Sequence, residues 1–286
     1  MGKFKGMHIP VMKKEVLEYL DPKPSQHFID CTIGLSGHAN AILEKTAPEG
    51  KLLGIEWDRE VFEKIRPSER MILENDSYAN LKKIVEKHNF KNVSGILFDL
   101  GISSWDLEGS GRGFSFLRKE PLDMRFSQNS ELTAHEIVNY WNEKEIAEIL
   151  KEYGEERFSG RIARKIVESR PIRDTLELAE TVKRSFPKSY KFREQHVAKR
   201  TFQSLRIAVN DELNNLKKGL EQAGEILDKN GRLVVISFHS LEDRIVKNFF
   251  KNNFRVLTKK PVTSSEEELK ENRRAKSAKL RVGIKL

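Results

Sequence analysis

The chain has 286 residues and a mass of 33.1 kDa, enough for one large domain or for a core domain that carries a substantial insertion. Apolar residues make up 38% and charged residues 33%, and the longest apolar run, Leu233–Phe238, is far shorter than the roughly 20 residues that span a bilayer. The first residues lack a secretory pattern, and the single cysteine, Cys31, excludes an intramolecular disulfide and a cysteine-based zinc site. We therefore expect a cytoplasmic protein with no membrane partner and no metal site.

The charge balance favours a polyanionic partner. There are 52 lysines and arginines against 43 acidic residues, a net charge of +9. Lys183–Arg206 holds eight basic residues, one acidic residue and several interleaved aromatic rings, a mixture that can hold phosphates and stack bases. Lys270–Leu286 holds seven basic residues and one acidic residue. Nucleic acid is therefore the favoured partner.

The first hundred residues alternate between short apolar strands and helical segments. We predict strands at 27–32, 52–56, 71–73 and 93–100, with helices around 41–43, 59–65 and 78–88. The last of these strands is nearly continuous in its apolar character, as in a parallel sheet that is covered on both faces. Strand–helix alternation at this spacing predicts an α/β fold with a doubly wound, Rossmann-like sheet.

The alternation stops between residues 107 and 200, where the apolar spacing is helical throughout. A single long amphipathic helix is then predicted from Leu205 to Leu227, followed by strands at 232–238, 254–258 and 278–284 and a helix at 241–250. We therefore predict one domain formed by 1–106 and 201–286, with an inserted all-helical domain at 107–200. A cleft between a sheet and such an insert is a usual place for a ligand.

Candidate ligand-binding residues follow the predicted strands. In an open α/β sheet the ligand lies outside the carboxyl ends of the strands. A loop rich in small residues, with Gly34, Ser36, Gly37 and His38, follows the first strand, and Glu56, which can accept hydrogen bonds from ribose hydroxyls, ends the second. Asp76 and Tyr78, whose ring can stack on a purine, follow the third strand, and Asp99 ends the fourth.

The order of these residues indicates an adenosine-type ligand, either a nicotinamide dinucleotide or S-adenosylmethionine. A dinucleotide site usually has the full Gly-x-Gly-x-x-Gly pattern, and Asn40 stands where its last glycine would be. S-adenosylmethionine has no phosphate and carries a positive sulfonium, which suits a pocket with several carboxylates. The composition of the loop and strand ends therefore favours the methyl donor over an oxidoreductase cofactor.

Several longer motifs resemble the bacterial RsmH (MraW) family, in order and over nearly the whole chain. They are His8–Val11, Asp30–Gly34, Asp99–Ser104, Arg112–Phe116, Pro121–Arg125, Tyr153–Glu156, Arg200–Asn210, Ser237–Arg244 and Arg274–Arg281. The resemblance implies a class I methyltransferase that acts on the N(4) amino group of a cytidine in 16S ribosomal RNA near the decoding site. The substrate would be the RNA or the 30S subunit, and a homodimer is left open.

The resemblance also implies roles for individual residues. The family's donor loop falls on Ser36, Gly37 and His38, and its ribose-binding acid falls on Glu56. Its adenine-side ring, its strand-four acid and a further binding position fall on Tyr78, Asp99 and Asp106. This chain departs from the usual family residues at four of these positions: the family usually has glycine at 36, aspartate at 56, phenylalanine at 78 and glutamine at 106.

We expect Asp99 to be the catalytic residue, because it would lie where donor and target base meet and could accept an amino proton. Binding the donor instead is an equal alternative for Asp99. Candidate residues on the substrate side are His8, Arg112 and His239. We interpret Cys31 as small core packing, since attack on a pyrimidine ring is unnecessary for amino-group methylation. A non-catalytic RNA-binding module is the remaining alternative.

Overall fold

The computed structural model describes residues 10–187 and 197–286. The chain divides into two compact units, one formed by 1–101 with 213–286 and the other by 102–212. Thus α10 (Val197–Asn210) belongs wholly to the second unit and spans residue 200, where the sequence had placed a domain boundary.

A seven-stranded sheet forms the centre of the first unit, in the order β3-β2-β1-β4-β5-β7-β6. The first five strands in this order run parallel to one another, and β7 pairs antiparallel with both β5 and β6. The strands are β1 (His27–Asp30), β2 (Leu52–Ile55), β3 (Met71–Glu74), β4 (Val93–Asp99), β5 (Arg232–Ser237), β6 (Phe254–Val256) and β7 (Lys279–Lys285). The predicted doubly wound, Rossmann-like α/β fold is confirmed.

Helices cover both faces of this sheet because its strands carry apolar side chains on both sides. Along β4, Ile96 and Phe98 pack into the core on one face, and Leu97 packs into the core on the other. The helices of this unit are α1 (Lys13–Leu20), α2 (Gly37–Lys45), α3 (Arg59–Phe62), α4 (Leu81–Lys87), α11 (Glu212–Ile226), α12 (Ser240–Asn253) and α13 (Glu266–Glu271). The resulting three layers hold the carboxyl ends of the parallel strands at one edge.

The second unit is helical and has a hydrophobic core of its own. Its helices are α5 (Ser104–Glu108), α6 (Ala134–Tyr140), α7 (Glu143–Glu152), α8 (Ser159–Glu168), α9 (Thr175–Arg184) and α10. Their apolar faces meet in one cluster that includes Ile146, Ile162, Leu178 and Leu205. The helical spacing in the sequence arises from these faces.

The single helix predicted from Leu205 to Leu227 is wrong. Asp211 adopts a left-handed φ of 47°, which ends α10 at Asn210, and α11 begins as a separate helix at Glu212. Leu205 packs into the core of the helical unit, whereas Leu216 and Leu220 pack into a core of the sheet unit. The continuous apolar stripe therefore serves two separate cores.

Candidate functional site

The loop after β1 turns sharply at the carboxyl edge of the sheet. Gly34 has a φ of +50° and Ser36 a φ of 65°, both in the left-handed region that favours glycine. Ser36 precedes α2, and its hydroxyl oxygen is buried with no hydrogen-bond partner among the described residues. At Gly37, a Cβ atom would lie 3.0 Å from the ring of Pro10. The backbone at the start of α2 is therefore tightly confined.

The carboxylate of Glu56 ties this loop to the end of β2. It accepts hydrogen bonds from the backbone N–H of Gly34, at 3.1 Å, and of Asp58, at 2.8 Å. A carboxylate has about four acceptor positions, so a residue of this type can accept hydrogen bonds from backbone N–H groups and from vicinal hydroxyls. The predicted loop residues and the predicted ribose-side acid are thus brought together.

Asp99 ends β4 beside the same loop. Its Oδ2 atom lies 3.7 Å from Nε2 of His38, and its backbone N–H donates to Oγ1 of Thr32 at 2.6 Å. Its Oδ1 atom is buried without a hydrogen-bond partner among the described residues. Burial raises the pKa of Asp99 to about 6; the positive charge of Arg274 lowers that pKa, and the negative charges of Glu242 and Glu268 raise it. Such a carboxyl can exchange a proton near neutral pH.

A second buried acid, Asp30, ends β1, the strand that pairs with β4. Asp30 is 1% exposed, and its Oδ1 atom accepts the backbone N–H of Thr32 at 3.1 Å. Burial raises the pKa of Asp30 to about 7, the hydrogen bonds from Thr32 lower it, and the nearby charge of Asp99 raises it further. The adjacent Cys31 is buried in the core, where burial raises the pKa of its thiol well above the usual value. A buried thiol of this kind is a poor nucleophile.

Three charged residues of the C-terminal segment, none of them predicted as a site residue from the sequence, also influence Asp99. They are Glu242, Glu268 and Arg274. The guanidinium of Arg274 lies 5.6 Å from the ring centre of Phe238, and Glu268 accepts the backbone N–H of Met12 at 2.7 Å. Glu242 and Arg274 lie within the motifs Ser237–Arg244 and Arg274–Arg281, but the spacing of those motifs does not predict that these two residues approach the end of β4.

Tyr78 begins a short 3₁₀ turn after β3. Its ring packs edge-on against Phe98, with centroids 5.4 Å apart. Gly219 on α11 leaves room for it, because a Cβ atom there would lie 2.8 Å from the tyrosine ring. Asp76, just before Tyr78, accepts hydrogen bonds from the N–H of Ser77 and the side chain of Asn80. Tyr78 is half-buried at the same edge of the sheet.

His239 begins α12 as its N-terminal cap. Its Nδ1 atom accepts a hydrogen bond from the backbone N–H of Glu242 at 3.4 Å, and its backbone N–H donates one to the carboxylate of Glu242. Its Nε2 atom lies 3.1 Å from the same carboxylate. These contacts give His239 a structural role at the end of β5. The substrate role predicted for it stays a prediction.

Asp106 and Arg112 lie in the helical unit and contact each other. The Oδ2 atom of Asp106 accepts hydrogen bonds from the backbone N–H and the hydroxyl of Ser103, and the two residues together cap the start of α5. The Oδ1 atom of Asp106 lies 3.5 Å from the guanidinium of Arg112. Both side chains are buried, and Arg112 also donates to the carbonyl oxygens of Arg125 and Phe126. Their binding roles stay predictions. His8 and the middle of the basic and aromatic stretch, 188–196, lie outside the described residues.

Comparison with known proteins identifies the family of the chain. A family model described as "MraW methylase family" matches residues 5–286. The ribosomal RNA small subunit methyltransferase H of Thermotoga neapolitana is 49% identical, over 98% of this chain and 97% of that protein. The protein of the same name from Dictyoglomus thermophilum is 47% identical, over 99% and 98%, and that of Thermosipho africanus is 44% identical over the full length of both. No helix among the described residues is both long and apolar enough to span a membrane. The chain belongs to the MraW methylase family.

Proposed function

We propose that this chain transfers a methyl group from S-adenosylmethionine to the exocyclic N(4) amino group of a cytidine in 16S ribosomal RNA, near the decoding site. Support comes from the names of its relatives and from the arrangement of acids at the carboxyl edge of the sheet. The observation that carries the proposal is Asp99, a buried acid at the end of β4 with one oxygen that has no partner among the described residues. A cytoplasmic location belongs to the same proposal.

The donor would supply a methyl group on a positively charged sulfonium. Glu56 would accept the two ribose hydroxyl protons, since both its oxygens are already oriented by backbone N–H groups. Tyr78 would contact the adenine, and the loop of Gly34, Ser36, Gly37 and His38 would surround the amino-acid part. The carboxylates in this region favour a cation over a phosphate-bearing dinucleotide.

Asp99 would act on the acceptor. The cytosine amino nitrogen is a weak nucleophile because its lone pair is delocalised into the ring, so in-line positioning supplies much of the acceleration. As the nitrogen attacks, positive charge develops on it, and the Asp99 carboxylate would accept one amino proton. A pKa of about 6 suits this task, since most of the group is ionised at pH 7 while it still binds a proton readily.

The helical unit, 102–212, is assigned to the RNA substrate in this proposal, with Arg112 and the basic, aromatic stretch from Lys183 to Arg206 as the contacting groups. His8 and His239 are assigned to the base. Single-stranded or extruded bases are the usual substrates of nucleobase-modifying enzymes, because the target atom is out of reach inside a stack.

The test is incubation of the protein with S-adenosylmethionine labelled in the methyl group and 30S subunits from a strain that lacks this enzyme. Nuclease digestion and mass spectrometry then identify the modified nucleoside. N(4)-methylcytidine supports the proposal, whereas label on a ring carbon, on a ribose or on no nucleoside contradicts it. Asp99→Asn separates the two roles of Asp99: lost transfer with retained donor affinity indicates chemistry, and equal loss of both indicates binding alone.

A further inference from the structure

The positive charge of the chain is concentrated in one part of the sheet unit. Residues 213–286 hold 17 lysines and arginines against 9 acidic residues, a net charge of +8. The helical segment 102–212 holds 20 against 19, and residues 1–101 hold 15 against 15. Within the basic part, the stretch from Arg244 to Lys260 has six basic residues and no acidic one. The stretch from Arg244 to Lys260 is therefore a second place, besides Lys183–Arg206, where a polyanion would be attracted.

Five of these residues form what we call the basic strip: Lys247 and Lys251 on α12, Arg255 on β6, and Lys259 and Lys260 just after β6. All five are exposed. The spacing of four between Lys247 and Lys251 puts them on one side of α12. Along the chain, these residues run from α12 through β6, which is the last strand in the sheet order, to the segment that follows it.

Backbone pairing shows where the end of the strip lies. β6 pairs with the last residues of β7, Gly283–Lys285. After β6, the backbone N–H of Leu257 donates to Val282, and Val262 pairs with Leu280. Leu280 is itself opposite Ile236, near the carboxyl end of β5. Lys259 and Lys260 therefore lie along the outer edge of the sheet, at the end that also holds Asp99.

The charges of the strip are uncompensated in the free protein. Within 10–187 and 197–286, none of its five side chains makes an ion pair or a side-chain hydrogen bond. Elsewhere on the surface, helices pair their arginines at a spacing of four, as in Arg164 with Glu168 on α8 and Arg184 with Glu180 on α9. On α12 the same spacing brings two lysines together, which costs a helix about 0.2–0.5 kcal/mol.

Protection of an exposed sheet edge explains only part of the strip. Charged residues on an edge strand discourage pairing with another chain, and this accounts for Arg255 on β6. It does not account for Lys247 and Lys251, which lie on a helix and have no strand edge to protect. A ligand that relieves their mutual repulsion accounts for all five residues.

We propose that the basic strip binds the phosphate backbone of the RNA substrate, beyond the reacting base. Ammonium groups bind phosphates as point charges without reading the sequence, so the strip supplies affinity and orientation and leaves the choice of cytidine to the site. This inference rests on the proposed function, because it takes RNA as the substrate.

The test uses the full chain with Lys247, Lys251 and Lys259 all changed to glutamine. The matched control changes Lys45, Lys83 and Lys91 to glutamine; these are also exposed and unpaired, but lie in the electrically neutral segment 1–101. For each protein, affinity for a 16S RNA fragment is measured at several salt concentrations, and affinity for S-adenosylmethionine is measured by calorimetry as a check of folding.

The strip variant should bind RNA at least about tenfold more weakly at low salt, and its plot of log affinity against log salt should be shallower by about two. Donor affinity and kcat at saturating RNA should match the wild type, while KM for RNA rises. RNA affinity and salt dependence equal to those of the control would overturn the inference, as would an effect on binding to anionic phospholipid vesicles without one on RNA. A wild-type protein that binds RNA through the basic strip but transfers no methyl group would refute the proposed function, while the inference about RNA binding by the strip would stand.

Discussion

The backbone N–H of Asp99 donates a 2.6 Å hydrogen bond to the side-chain oxygen of Thr32. Thr32 in turn donates its own N–H to the buried carboxylate of Asp30. The end of β4 is thereby attached to the loop that follows β1, through one hydroxyl group. The position of the Asp99 carboxylate depends on a residue that has no reactive group of its own.

Replacement of Thr32 by valine should misplace Asp99, since valine has nearly the same shape but cannot accept the Asp99 N–H. An unsatisfied backbone donor costs about 1–3 kcal/mol, and we expect the free energy of unfolding to fall by that amount. Methyl transfer should fall further than stability explains. Thr32→Ser is the control, because it keeps the hydroxyl and should restore both. Urea unfolding and transfer rates measured together check this, and equal activity of the two variants would contradict it.

Methyl transfer should depend on pH through Asp99. Because burial raises the pKa of Asp99 to about 6, the carboxylate form increases as the pH rises from about 5 to 7, and the transfer rate should rise with it. Asp99→Asn should abolish this rise of the rate with pH, together with most of the activity. Single-turnover rates with saturating RNA between pH 5 and 8 measure the pH dependence. A wild-type rate that is constant over this range would rule out proton acceptance by Asp99.

Asp30 should make stability depend on pH. Its pKa in the folded state is about 7, above the ordinary value of 3.8, so the folded protein binds this proton more tightly than the unfolded chain does. The stability that the proton contributes is complete below about pH 4 and is lost as the pH rises through about 7. Asp30→Asn cannot ionise, so its free energy of unfolding should fall less between pH 5 and 8 than that of the wild type. Parallel curves for the two proteins would show that Asp30 is not responsible.

Ser36 should destabilise the free protein. It has a left-handed φ of 65° and a buried hydroxyl without a partner among the described residues. We expect Ser36→Gly to raise the free energy of unfolding by about 1 kcal/mol, because glycine relieves the strain and removes the unsatisfied group. Ser36→Ala keeps the strain and removes only the hydroxyl, so its gain should be smaller. Thermal and urea unfolding distinguish the two, and a Ser36→Gly variant less stable than the wild type would refute the argument.

The sheet and the residues at its carboxyl edge were predictable from the sequence because the information is local. Each strand is a short apolar run, and parallel strands separated by helices must present their carboxyl ends at one edge. Glu56 and Asp99 end such runs, and the structure connects Glu56 to Gly34 and sets Asp99 beside His38. Their proximity follows from topology alone.

Other features were beyond the sequence because they depend on backbone direction or distant segments. The apolar stripe from Leu205 to Leu227 continues without a fault through Asp211, so spacing could not reveal that the helix ends there. Arg274 influences Asp99 from the segment just before β7, and the antiparallel pairing of β7 with β5 brings the start of β7 to the carboxyl end of β5. The structural roles of Asp106 and His239 as helix caps are likewise visible only once the helix starts are known.

The central claim is that the methyl donor binds at the carboxyl edge of the sheet. The most direct test is to titrate isotope-labelled protein with S-adenosylmethionine and to measure the NMR chemical-shift changes of the backbone amides. The largest shifts should fall on Gly34, Gly37, Glu56, Tyr78 and Asp99, whose backbones surround this edge. Unchanged resonances at these five residues, at donor concentrations that saturate the protein in calorimetry, would contradict the claim.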